Sequence, residues 1–124
     1  MSNPTASQVR WREYVRGLGC CVSQEDWKVQ IHHVVGRSAK VKGVGNIGHW
    51  YVLPLAWQYH DVASNDKLNV THHKNAFEEQ FGTQSELFNQ VFNTLIHKAK
   101  GSSSIDAGDF PPENVLNAIS VYRR

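Results

Sequence analysis

The sequence predicts a small α+β domain, mostly helical, arranged around one ββα unit. Three observations predict it. Trp27-Lys28-Val29-Gln30-Ile31 alternates apolar and polar side chains, the period of a half-buried strand. The apolar run from Trp50 to Leu55 reads as a second strand, and the residues from Ala56 to about Ser64 read as the start of a helix. Elsewhere apolar residues recur at three- and four-residue spacing, so helices dominate. At 124 residues the chain suits one domain, 1–124, with the unit over about 27–64 and flanking helices over about 6–18, 72–81, 84–99 and 112–122.

Taken in order, the first helix carries Val9, Trp11, Tyr14, Val15 and Leu18, with Gly17 and Gly19 marking its exit. The alternating strand then delivers His32 and His33 at its end. Residues 36–48, with four glycines and several basic residues, read as a loop. Asn65-Asp66-Lys67 reads as a turn, and the helix over 72–81 carries Phe77 and Phe81 one turn apart before Gly82 ends it. Thr83-Gln84-Ser85-Glu86 has the capping-box pattern, in which a threonine oxygen and a glutamate satisfy free N–H groups at a helix start. Leu87, Phe88, Val91, Phe92, Leu95 and Ile96 give that helix its apolar face. Gly101-Ser102-Ser103-Ser104 is a flexible break, and Val115, Leu116, Ile119 and Tyr122 belong to the last helix. Trp27, Trp50 and Trp57 are expected core fillers, as are Phe77, Phe81, Phe88 and Phe92.

Composition excludes several classes. No stretch approaches the roughly 20 apolar residues that span a bilayer. Met1-Ser2-Asn3-Pro4-Thr5 lacks the basic and apolar regions of a secretory signal, so a soluble, cytoplasmic protein with no membrane partner is expected. Cys20 and Cys21 are adjacent and poor disulfide partners, more consistent with core packing than with a nucleophile. The net charge of +2 is unevenly spread: residues 1–44 hold seven Lys/Arg against three Asp/Glu, and the rest six against eight. Arg10, Arg12, Arg16, Arg37, Lys40 and Lys42 are candidates to meet a phosphate backbone, although a solvated face accounts for mild basicity equally well.

The chemistry sits in seven histidines: His32, His33, His49, His60, His72, His73 and His97. Neutral imidazole suits transition-metal ions, and a catalytic metal site keeps a position open for water or substrate. In phosphodiester hydrolysis a cation stabilises charge on the phosphate while a neutral histidine takes the proton of the attacking water. Consecutive strand residues point to opposite faces, so His32 and His33 share one site only if the strand ends or bulges there; Val34-Val35-Gly36 permits that exit. His49 sits in a loop beside Trp50, where a surface position competes with phosphate contact. His97 near a helix end suits the helix dipole and is assigned no function.

Cys20-Cys21-Val22, Ile31-His32-His33-Val34-Val35-Gly36, Leu53-Pro54-Leu55 with His60, and above all Phe77-Glu78-Glu79-Gln80-Phe81-Gly82-Thr83 together carry a family pattern. Over about residues 9–91 the chain resembles the phage recombination-enhancement (Ref) nucleases and related HNH, or His-Me finger, endonucleases. That resemblance implies a ββα-metal motif and a DNA-hydrolysing endonuclease that uses one divalent ion, Mg2+ or Mn2+, with Zn2+ able to occupy the site. It implies His33 as general base and His32 and His60 as metal ligands. Position 64, where many such enzymes carry a further histidine, is Ser64, which leaves His72 or His73 as the third ligand. Arg37, Lys40, Lys42 and His49 become the nucleic-acid contacts, a recombinase filament a possible partner, and a host-cell cytoplasm the compartment if the gene is phage-borne.

The chain also departs from the family. Tyr51 occupies the position of the asparagine that often braces the finger loop, with Asn46 near but out of register. Cysteines expected near Ser23 and Ala56 are missing, which excludes a four-cysteine zinc knuckle. Two rival readings stay open: a non-catalytic, metal-stabilised nucleic-acid-binding module, and a ribonuclease on the same scaffold.

Overall fold

The computed structural model describes residues 3–122; Met1 and Ser2 of the N-terminal stretch, and Arg123 and Arg124, lie outside the described residues. Among those described, five α-helices and two small antiparallel sheets make an α+β fold. Helix α1 (Ala6–Gly17) begins with a capping box. Thr5 Oγ1 accepts from the Gln8 N–H at 3.2 Å, and Gln8 Oε1 accepts from the Thr5 N–H at 2.8 Å. The helix buries Trp11 and Val15 completely.

Strand β1 (Val29–His33) pairs antiparallel with β4 (Val52–Ala56), setting His32 opposite Leu53 and His33 opposite Val52. All five residues of β4 are buried, which explains its continuous apolar sequence, whereas β1 is half-buried and alternates. Helices α1 and α4 (Gln84–Lys100) pack against β4. Pro54, which has no N–H to give, offers its carbonyl to the Cys21 N–H at 2.9 Å. Cys20 is buried and both cysteines are free thiols. Burial pushes the Cys21 thiol up to about 12, which fits core packing and not nucleophilic chemistry.

Residues 36–48 are not wholly loop. They contain a short hairpin, β2 (Lys40–Val41) against β3 (Gly45–Asn46), because the Val44 N–H reaches the Val41 carbonyl and Gly43 and Gly45 take positive φ. The hairpin folds back until Ile47 N–H reaches the Ala39 carbonyl at 2.9 Å. Gly48 then lies so close to the backbone of Gly36 and Arg37 that no Cβ fits there.

The helix expected over 56–64 is shorter. Helix α2 (Trp57–His60) is a single turn, and Asp61 is already extended. Its next carbonyl partner is taken by side chains: Gln58 O accepts from Ser64 Oγ at 2.8 Å and from Asn69 Nδ2 at 3.1 Å. The Asp61 carboxylate meanwhile accepts from the Ala63 N–H at 2.9 Å. Short polar side chains thus outcompete the helical hydrogen bond.

Helix α3 (Lys74–Phe81) starts two residues later than expected, so His72 and His73 precede it. The capping box read at Thr83 and Glu86 opens α4, whose last turn carries His97, Lys98 and Lys100 where cations suit the dipole. A 3-10 turn over Ala107–Asp109 leads to α5 (Glu113–Val121). Phe77 and Phe88 are core, with Phe81 and Phe92 packed against it. The tryptophans divide differently from the expectation: Trp50 is buried, Trp57 is half-buried, and Trp27 is 67% exposed with the Lys28 ammonium over its ring. Trp11, 0% exposed, is the tryptophan at the centre. No helix among the described residues is long and apolar enough to cross a membrane.

Candidate active site

His32 and His33 both lie in β1, and the alternation of the strand sends them to different neighbours. The His32 ring stands edge-on to His60, with ring centres 5.0 Å apart. The His33 ring stands edge-on to His49 at 5.4 Å. Because β1 ends at His33, where the chain turns away, all of His32, His33 and His60 still line one cavity of about 1020 Å3. Gln30, Asp61, Glu78 and Gln84 line it too.

Two glutamines hold the first histidine pair. Gln84 Oε1 lies 2.6 Å from His32 Nε2, and Gln84 Nε2 donates to Glu78 Oε2 at 2.9 Å. Gln30 Oε1 lies 2.7 Å from His60 Nδ1, and Gln30 Nε2 donates to Asp61 Oδ2 at 2.9 Å. Gln84 had shown only as an inner position of the capping box, and Gln30 only as a polar position of the strand. Its spacing of two from His32, which places both on one strand face, was the available signal. Hydrogen bonds from Gln30 and the Ala63 N–H hold the Asp61 carboxyl below its ordinary value.

His33 is the chemically exposed member in another sense. Among the described residues no group hydrogen-bonds to its buried Nε2. Burial first, then the charges of Arg37, His49, Arg12 and His32, lower its pKa from 6.5 to about 4, so the ring is neutral at neutral pH. His60 is lowered as well, by burial against the opposing pull of Asp61.

The remaining candidates separate. His72 and His73 are exposed and do not line the cavity; His72 Nε2 donates to the Val62 carbonyl at 2.8 Å. The structure therefore does not bring them to His32 and His60. His49 is 4% exposed, so the surface position expected for it is corrected: Ile47 and Trp50 beside it are core, and its ring lies against His33. Arg37, Lys40 and Lys42 are exposed on and beside the hairpin. Asn46, out of register in sequence, does brace this loop, donating to the Arg37 carbonyl at 2.8 Å and accepting from the His49 N–H at 3.0 Å.

Among the described residues no three His, Cys, Asp or Glu side chains form a group that could hold a metal ion. His32 and His60 are a two-donor set. That fits a weakly held ion whose other positions belong to water and substrate phosphate, and does not fit a closed structural zinc site.

The lowered pKa of His33 makes folding sensitive to acid. Its proton is bound by the unfolded chain near 6.5 but by the folded chain only near 4, so the unfolded state takes up more protons in that window. Stability is full above 6.5 and falls as pH drops toward 4. Urea midpoints of the metal-free protein across this range should decline, and His33→Asn should flatten the decline; an equal slope in both proteins would mean His33 titrates normally.

A protein-family model described as recombination enhancement, RecA-dependent nuclease, matches residues 4–96. No curated protein and no solved structure matches. The matched range contains both histidine pairs and both glutamines.

Proposed function

Because the chain belongs to the family of recombination enhancement, RecA-dependent nucleases, we propose that it is an HNH-type endonuclease hydrolysing DNA phosphodiester bonds at the His32, His33 and His60 cavity. The observation that carries this reading is His33 Nε2, a buried nitrogen without a hydrogen-bond partner among the described residues, on a ring that stays neutral and lines the same cavity as a histidine pair. A buried polar atom left without a partner costs stability, and such a cost is expected where function needs the atom.

In this reading His33 takes the proton of the attacking water. A base with pKa near 4 is weak; burial is the first cause of the lowering, and the nearby charges of Arg37, His49 and Arg12 add a smaller part. A substrate phosphate beside them offsets that charge and raises His33 toward the working pH, so the base strengthens when substrate arrives. His49 packs behind His33 and limits its rotation. When bound between His32 and His60, a divalent ion, Mg2+ or Mn2+ in the working enzyme with Zn2+ as a competing occupant, supplies positive charge against the phosphate and its leaving oxygen. Arg37, Lys40 and Lys42 contact the backbone, which positions DNA without reading its sequence. A RecA filament is the proposed partner that presents the substrate, in line with the RecA dependence in the family description.

The test is nicking of supercoiled plasmid and cutting of single-stranded DNA and single-stranded RNA with Mg2+, Mn2+, Zn2+ or chelator, each with and without a RecA filament. Cleavage that needs Mg2+ or Mn2+ and the filament is the expected result. DNA and metal binding without cleavage under any condition would replace this reading with the binding module, and cleavage of RNA in preference to DNA would replace the substrate.

A further inference from the structure

Each of the two paired histidines hydrogen-bonds to a glutamine oxygen, and the orientation of each glutamine is dictated by what lies behind it. A carboxylate only accepts, so the amide nitrogen of Gln84 must face Glu78, and that of Gln30 must face Asp61. The amide oxygens then face the rings, at 2.6 Å from His32 Nε2 and 2.7 Å from His60 Nδ1. A carbonyl oxygen also only accepts. Both ring nitrogens must therefore carry the proton, and they are different atoms: Nε2 in His32 and Nδ1 in His60. A uniform intrinsic preference of neutral imidazole would put the proton on the same atom in both rings, so the opposite assignment is imposed by the fold.

We propose that Gln84 with Glu78, and Gln30 with Asp61, are positioning residues: two carboxylate-to-amide relays that fix the His32 and His60 protons on opposite nitrogens and so offer His32 Nδ1 and His60 Nε2 as lone-pair donors to one cation. Histidines that bind metals characteristically donate their second ring N–H to a carboxylate or carbonyl, which sets tautomer and orientation. Here an amide is interposed in both cases. The relays also tie the site to the fold, since His32 on β1 is held from α3 and α4, and His60 on α2 is held from β1. What the lone pairs bind rests on the nuclease reading; where the protons sit does not.

The experiment reads the protons directly. Long-range 1H–15N spectra of the 15N-labelled protein in chelator near pH 8 should show His32 as the Nε2–H form and His60 as the Nδ1–H form, each favoured by about tenfold or more. Gln84→Met should erase the His32 preference and leave His60 unchanged; Gln30→Met should do the reverse for His60. The undisturbed ring in each variant reports that the fold is intact, and the half-buried Glu78→Gln is a milder second variant that frees the Gln84 amide to flip. Mn2+ affinity of each variant should fall by about 10- to 100-fold. The same tautomer in both rings of the wild-type chain would overturn the proposal without any variant, and so would tautomers indifferent to the glutamines. Because these spectra need neither metal nor DNA, their failure leaves the nuclease reading standing, and an inactive protein with the stated tautomers leaves the relays standing.

Discussion

In the plasmid assay, His33→Ala should nick about 100- to 10,000-fold more slowly than the wild-type chain, the range contributed by a positioned general base. The folded structure should barely register the change. His33 is half-buried, its Nε2 has no hydrogen bond to lose among the described residues, and its ring stands edge-on to His49. Removing it trades a small packing loss against release of a desolvated nitrogen, so the stability change should stay within about 1 kcal/mol. Mn2+ binding should persist because His32 and His60 keep their own partners. Added imidazole should restore part of the rate, since the cavity of about 1020 Å3 has room for a free base. Full activity in His33→Ala would remove His33 from the chemistry and move the search for a base to the other cavity groups.

Much of this site was legible because it is local. Alternation over Trp27 to Ile31 placed His32 and His33 at a strand end, and the apolar run after Trp50 placed His60 just beyond the paired strand. The Thr83 capping box was visible for the same reason: its partners are three residues apart. The failures are long-range or competitive. Gln84 lies 52 positions from His32, and no periodicity links them. Trp27 and Trp11 look alike in sequence, yet only Trp11 belongs to a helix face covered by β4, Phe92 and Phe110. The helix from Ala56 stopped early because Ser64 and Asn69 reach back to the Gln58 carbonyl, a tertiary contact that apolar spacing does not encode. The exposed placement of His72 and His73 ahead of α3, with His72 Nε2 donating to the Val62 carbonyl, is likewise set by a contact ten residues away that their position before a Phe-Glu helix does not encode.

Trp11→Ala should be the most damaging single truncation of the core. The side chain is 0% exposed, packs against Phe110 with ring centres 5.0 Å apart and Phe92 at 6.1 Å, and donates Nε1–H to the Trp50 carbonyl at 3.0 Å. Deleting a buried tryptophan costs about 3–5 kcal/mol in transfer and cavity terms. The Trp50 carbonyl keeps the Val52 N–H at 3.1 Å and loses only its second donor, a further loss of about 1 kcal/mol. Against a total of about 5–15 kcal/mol for a domain, that loss brings the chain near the point of unfolding. Trp11→Phe separates the two terms, because it keeps most of the ring packing and removes the N–H. Urea unfolding should rank wild type above Trp11→Phe and both well above Trp11→Ala, and equal midpoints for the two variants would mean the hydrogen bond, not the packing, sets the cost. The same bond links the core to the chemistry. Trp50 precedes Tyr51, whose carbonyl accepts from the Val34 N–H at 3.1 Å and extends the strand pairing one residue past His33. A loosened Trp50 therefore frays the strand end that presents His33, so Trp11→Phe, though folded, should nick more slowly than its stability alone predicts.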